Sequence, residues 1–463
     1  MELVSKLAEY RQVLSKKRLR VCFTIIILFA SLFLIGANNA SSREPYMQFQ
    51  TQADLPREEQ TPVADSRSGI TVVTSHEQGN IIALRPDGTN LYYNDSHDGY
   101  WDVDPSPKGE KTVMYPATDE VHDTSVCKPV KGDTCIRQMI ERVNLTTGET
   151  TTLYSRIDPQ YHNSEWHDVD RINESHYIVA DMYSDEVFIV DVNNGIVEWE
   201  WSLQNHFSLK TGGDYSEDWA HLNDVEVLED GRIMLSPRNH DQVLFLEPGE
   251  GVIDNWTIGK DGEHSTLYEQ HNPDYIPESD GGPAVAIADS ENNRIVEYHR
   301  SSGGDWEQAW EWQDSRIQWP RDADRLPNGN TLITDTHGNR VLEINQQGDI
   351  VWDFDFTAGY EAERLGTGDE SEGGPSAQEA GLPSRTSNGD TSISSEESAT
   401  QINNGIKGLL PNKIVNGLAN ATPSWLGFLD LIVLSAGMLT AVFWGGLELW
   451  WAPWTIQRPV VRK

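Results

Sequence analysis

The sequence predicts an all-β fold, a six-bladed β-propeller carried between an N-terminal and a C-terminal transmembrane helix, and three observations predict it. An apolar strand, a polar four-residue step and a second apolar strand recur along the chain. An Asp-x-acidic pair leads most copies, and a further strand, often ending in tryptophan, closes them. Period-two patterning in these units excludes a helical solenoid, and regular recurrence argues against a β-sandwich with chance hairpins.

In chain order, residues 1–20 form a basic N-terminus that includes Lys16, Lys17, Arg18 and Arg20. Residues 21–37 are uncharged and are expected to be a transmembrane anchor whose positive flank stays in the cytoplasm. A cleavable signal peptide is the rival reading, against which stand the long n-region and the poor cleavage pattern of Asn38 before Ala40. Residues 38–67 read as a linker and 68–357 as the propeller.

Within the propeller, Leu332 to Leu342 reads as a β-hairpin through Asp335 and Asn339. The same register fits Val285 to Val296, Ile233 to Leu244, Ile178 to Ile189 and Val72 to Ile82. The first turn positions, 75, 181, 237, 289 and 335, differ by 106, 56, 52 and 46, so the first gap has room for a sixth unit. Met114 to Tyr154 fills it, with the segment holding Cys127 and Cys135 inserted. These two cysteines would close a small loop in an oxidising compartment; two free thiols are the alternative.

Residues 358–424 read as an acidic low-complexity linker, because Gly, Ser, Glu, Asn and Thr dominate between Gly366 and Pro423. Residues 425–451 are apolar apart from Asp430 and Glu448, with tryptophan at both edges, and read as a transmembrane helix. Residues 452–463, with Arg458, Arg462 and Lys463, read as a cytoplasmic basic tail. Both termini are thus expected inside the cell membrane and the propeller on its extracellular side.

Acidic residues outnumber basic ones 73 to 35, and a net charge of -38 excludes nucleic acid as a partner. The acid excess predicts a halophilic source, since such a surface stays hydrated at high salt. Nothing in the sequence singles out a protein partner.

Candidate site residues are those that depart from the repeat. The Asp-x-acidic pairs, at Asp102, Asp168, Asp224 and Asp322 with a weaker copy at Asp274, obey it. They read as strand caps that bond backbone between neighbouring blades. His221 and His271 sit three residues before Asp224 and Asp274, and His167 directly precedes Asp168. Because the strand after such a loop is usually innermost, the three histidines are predicted to converge on the central channel. Asn223 and Arg238, and Arg321 just before Asp322, add groups suited to an anionic substrate. A metal on the three histidines is disfavoured by Arg238, and each histidine taken alone is more simply a hydrogen-bonded structural residue.

HLNDVEVLEDGRIMLSPRN, EWHDVD and QHNPDYIP on six repeats resemble the arylsulfotransferase family that works without a nucleotide sulfate donor. The resemblance covers about Ser68 to Phe356, and the anchors and acid excess suggest a membrane-anchored member of haloarchaeal type. It implies that His271 is the nucleophile, taking a sulfuryl group from a phenolic sulfate ester and passing it from a sulfohistidine to a phenolic acceptor. Arg238, His221 and His167 would be catalytic with it, Asn223 and Arg321 would bind substrate, and no cofactor or metal is expected. The absence of a G-x-x-x-x-G-K-[ST] motif agrees with a donor lacking a nucleotide. The alternative is a non-catalytic anchored propeller that binds a protein or glycan.

Overall fold

Alternating apolar residues set the blades, because each strand sends successive side chains to opposite faces and both faces of a blade meet a neighbour. The computed structural model describes residues 16–41, 45–106, 111–159, 164–215, 217–368, 373–386, 411–422 and 428–451. Residues 1–15 of the basic N-terminus expected at 1–20, the basic tail expected at 452–463, and residues 387–410 of the segment read as linker lie outside the described residues.

Six antiparallel sheets make the six-bladed propeller. From the inside outwards, blade 3 runs Trp166–Arg171, His176–Asp181, Glu186–Asp191 and Ile196–Ser202. Blades 4, 5 and 6 repeat the order from inner strands Leu222–Val227, His271–Ile276 and Pro320–Arg325. In blade 2 the inner edge is split into Gly99–Tyr100 and Asp104–Pro105, followed by Thr112–Val121, Cys135–Asn144 and Glu149–Pro159. Cys127 and Cys135 are joined by a disulfide across the insertion between its second and third strands.

Blade 1 differs. Its Ile70–Ser75, Asn80–Leu84 and Asn90–Asn94 take their inner strand from Ala362–Leu365, which pairs antiparallel with Ile70–Ser75. The closing strand therefore lies inside the segment read as linker, past the expected boundary at 357. Its Glu361-Ala362-Glu363 is a fifth acidic-x-acidic pair and, with the weaker copy at Asp274, the sixth copy of the marker, with Glu in the first place instead of Asp. The linker segments contribute further: Phe49, in the helix Pro45–Ala53, is buried among Phe354, Phe356 and Trp352, and Arg385 bonds Asp314 and the backbone of Glu311.

Turn chemistry explains the hairpins. Their last turn residue is Gly79, Asp185, Asp241, Asn293 or Asn339, and all five adopt left-handed φ between 51° and 57°. Only Gly, Asn and Asp accept that conformation cheaply. The core is six apolar clusters, one per blade interface: Ile178 and Ala180 face blade 4, whereas Tyr177 and Val179 face blade 2.

The two apolar helices, Lys16–Ser41 and Phe428–Trp451, form a separate unit. Their apolar windows have mean hydropathy 2.2 and 1.6, enough to cross a membrane by length and composition. They pair antiparallel: Arg20 binds Glu448, Phe23 meets Phe443 at 6.0 Å, and Lys16 lies 5.2 Å from the Trp451 ring. Glu448, one of two acids in the second helix, is thus neutralised by the first.

Candidate active site in the central channel

The Asp-x-acidic pairs build the waist of the channel, each reaching one blade onward. Asp102 accepts from Val169 N–H at 3.3 Å, Asp170 from Val227 N–H at 2.7 Å and Glu226 from Tyr275 N–H at 3.2 Å. Asp168 accepts from Val225 N–H, Asp274 from Arg325 N–H and, closing the circle, Asp322 from Ala362 N–H. Burial raises the carboxyls of Asp168, Asp224 and Glu361 well above the ordinary range, helped by neighbouring acids, and pushes Asp322 to about 6.

Immediately above, the inner strands of four consecutive blades carry bulges. Register shifts occur at Ala180/Asp181, opposite His167, and at Leu222/Val225, His271/Asp274 and Pro320/Asp322. A bulge adds a residue to one strand and re-aims side chains. Here it does so where His167, Asn223, His271 and Arg321 enter the channel. His221 and Trp319 hold left-handed φ of 49° and 51°, uncommon for such residues and concentrated at this mouth.

The predicted residues come together. His167 and His221 rings lie 5.1 Å apart, and His271 is under the electrostatic influence of Arg321, Arg238, His221 and His167. All three histidines are buried. Burial first, then the two guanidiniums, holds His271 well below the ordinary imidazole range, and burial first, then His221 and Arg321, does the same for His167. His221 is lowered to about 4 by burial and Arg238, against the opposing pull of Asp218.

Asp218 faces His221 Nδ1 at 2.8 Å and Arg238 at 3.3 Å. Burial opposes its charge, yet its hydrogen bond with His221 and the charge of Arg238 help bring it to about 2. His221 therefore directs Nδ1–H to a carboxylate and Nε2 elsewhere. Asn223 donates to the Gln270 carbonyl at 2.9 Å, while its buried Oδ1 has no partner among the described residues. Both ring nitrogens of buried His167 are likewise unpartnered among the described residues.

Arg321 makes no ion pair among the described residues. Its guanidinium lies 3.1 Å from His76 Nδ1 and 5.1 Å from the Tyr360 ring, and its Nε is buried without a partner among the described residues. A cation half out of water and without a carboxylate gains when an anion joins it. No metal-holding group among the described residues includes these histidines; the buried group that does occur is Asp102, Asp104 and Glu361 in the waist.

Several site residues were not singled out from the sequence. Trp101 stacks on His167 at 4.2 Å and His76 on Trp101 at 4.7 Å. Tyr360 crosses the channel to bond the Asn223 carbonyl at 3.3 Å. Their signal was positional: Trp101, His167, Asn223, Arg321 and Tyr360 each directly precede the first acid of a pair, and His76 occupies the hairpin position of Arg238.

A family model described as "Arylsulfotransferase (ASST)" matches residues 95–357, more than half of the chain. No curated protein matches. Solved structures match at low identity. The nidogen/laminin complex matches at 13% identity and TM-score 0.43, covering 64% of this chain and 97% of that one. The periplasmic gluconolactonase of Pseudomonas aeruginosa matches at 11% and 0.40, covering 65% and 99%. A catalytically inactive virginiamycin B lyase from Staphylococcus aureus, crystallised with quinupristin, matches at 9% and 0.39, covering 64% and 85%.

Proposed function

From the premise that this chain belongs to the arylsulfotransferase family, we propose that it transfers a sulfuryl group from a phenolic sulfate ester to a phenol through a sulfohistidine at His271. The observation that carries the reading is the half-buried Arg321, without an ion pair among the described residues, acting with Arg238 on a histidine held neutral. The arginines suit the sulfuryl oxygens, and neutrality leaves the imidazole a lone pair for attack.

In the first half-reaction a bond forms between His271 and sulfur as the bond from sulfur to the aryl oxygen breaks. The departing phenolate takes a proton from His221, whose protonated form the bound anion favours and whose ring Asp218 orients. His167 and Asn223 supply polar contacts to the transferring group, and stacked Trp101 and His76 form an aromatic wall beside it. In the second half the acceptor phenol returns a proton to His221 and removes the sulfuryl group, restoring neutral His271. The helix pair and its basic N-terminal flank support anchoring in the cell membrane with both ends cytoplasmic and the propeller outside.

The test is sulfate transfer from a chromogenic aryl sulfate to phenol by the full chain at high salt, beside His271→Ala. The variant is expected to fold and to lose at least about a thousandfold in turnover. A folded wild type inert toward a panel of aryl sulfates would overturn the reading in favour of a binding propeller.

A further inference from the structure

We infer that Ser290 is a positioning residue: its hydroxyl holds neutral His271 with the proton on Nδ1, so that Nε2 is the nitrogen that attacks sulfur. The inference rests on the reading of His271 as nucleophile.

The argument is a count of protons. Ser290 Oγ lies 2.8 Å from His271 Nδ1, 2.7 Å from the Pro320 carbonyl oxygen and 3.3 Å from that of Ala288. Both carbonyls only accept, and a hydroxyl has one proton to donate. That proton goes to a carbonyl, the closer being Pro320, so the contact with His271 requires Nδ1–H as donor. The other tautomer would set two lone pairs against each other at 2.8 Å, or take the hydroxyl proton from Pro320. Ser290 is fully buried and His271 is 1% exposed, so water is poorly placed to repair either loss. His271 Nε2 has no hydrogen-bond partner among the described residues.

Local structure puts the hydroxyl there. Ser290 opens the turn Ser290–Asn292 after the second strand of blade 5, and the bulge at His271/Asp274 brings the ring back beside it. Pro320 starts the inner strand of blade 6 and precedes Arg321, so one hydroxyl connects the nucleophile to the strand that carries an anion-binding cation. A plainer role, a strut between blades, is served at the equivalent position by Thr336, whose Oγ1 donates to the Gly359 carbonyl at 2.8 Å. Among the described residues Thr336 bonds no histidine side chain, and so it supplies the control.

In the transfer step the bond from Nε2 to sulfur forms, the bond from sulfur to the aryl oxygen breaks with its electron pair leaving on that oxygen, and Nδ1 keeps its proton.

The experiment is nitrogen-proton correlation NMR of the full chain with ring-labelled histidine, His271 being assigned by its loss in His271→Gln. Wild type is expected to show His271 protonated at Nδ1 and bare at Nε2. Ser290→Ala should shift it toward the other tautomer and lower kcat about a hundredfold with KM little changed, while Ser290→Thr restores both. Thr336→Val should leave tautomer and kcat unchanged. An Nε2–H signal in wild type, or an unaltered Nδ1–H pattern in folded Ser290→Ala, overturns the inference. A wild type that shows Nδ1–H but turns over no aryl sulfate keeps the tautomer assignment and removes the transferase reading instead.

Discussion

Two levels of one channel stand a few residues apart on the same strands, and burial treats both alike. At the mouth it lowers histidines; at the waist it raises carboxyls; in each case the neutral form gains. What differs is the partners. Waist carboxyls bond backbone N–H groups of the next blade, from Asp102 to Val169 round to Asp322 and Ala362. Waist oxygens such as Asp168 Oδ1 and Asp224 Oδ1 also lack a partner among the described residues, but at the mouth whole functional groups do: His167 at both nitrogens, Asn223 at its Oδ1, and Arg321 with no ion pair among the described residues. Desolvation sets protonation at both levels, and the bonds to backbone of the next blade make the waist structural, while the mouth keeps donors, acceptors and a cation facing the channel.

The largest expected effect removes one side of both levels at once. Truncation after residue 357 deletes Tyr360, Glu361 and the closing strand Ala362–Leu365, leaving blade 1 without its inner edge. Loss of a cooperative thermal transition by circular dichroism is expected; a truncated chain melting like the full one would show that the closure is dispensable.

At the mouth alone, Arg321→Met is expected to lower kcat/KM by about 10²–10³ while leaving the melting temperature unchanged or higher, since it removes a half-buried charge with no ion pair among the described residues. At the waist alone the sign reverses: Asp168→Ala should cost about 1–3 kcal/mol in denaturant unfolding, by orphaning Val225 N–H, with Asp168→Asn costing less because the native carboxyl already favours its neutral form. If Asn proved as costly as Ala, the neutral assignment would fall.

The smallest effect is in pH dependence. His221, lowered to about 4, contributes stability that is present above the unfolded value near 6.5 and lost as pH falls toward 4, because the unfolded chain takes the proton first. Asp322, raised to about 6, contributes stability that is present at low pH and lost as pH rises through 6. The two oppose between about pH 4 and 6, each worth up to about 1.4 kcal/mol per pH unit. Asp322→Asn should therefore steepen the loss of stability on acidification, and His221→Gln should flatten it, as read from denaturant midpoints across that range.

Much of this was legible in the chain itself, for a local reason. Hairpin strands pair with neighbours a few residues away, so Ile333 and Leu342 or Leu235 and Leu244 announce their pairing by alternation and by the Gly, Asn or Asp that turns between them. The acidic pairs mark the inner strands, and His221, His271, His167, Asn223, Arg238 and Arg321 stand out because they depart from that repeat. The closing strand did not stand out: Ala362–Leu365 is short, follows Glu361 in a run that continues into linker composition, and finds its partner nearly three hundred residues earlier. Arg321 meets His76 across 245 residues, and the hydroxyl of Ser290 acquires its role only where the Pro320 carbonyl arrives from the next blade. Sequence periodicity determines what adjacent segments do to each other. Which distant groups share a dry channel, and so which of them lose charge or lack a partner, is decided only when the ring closes.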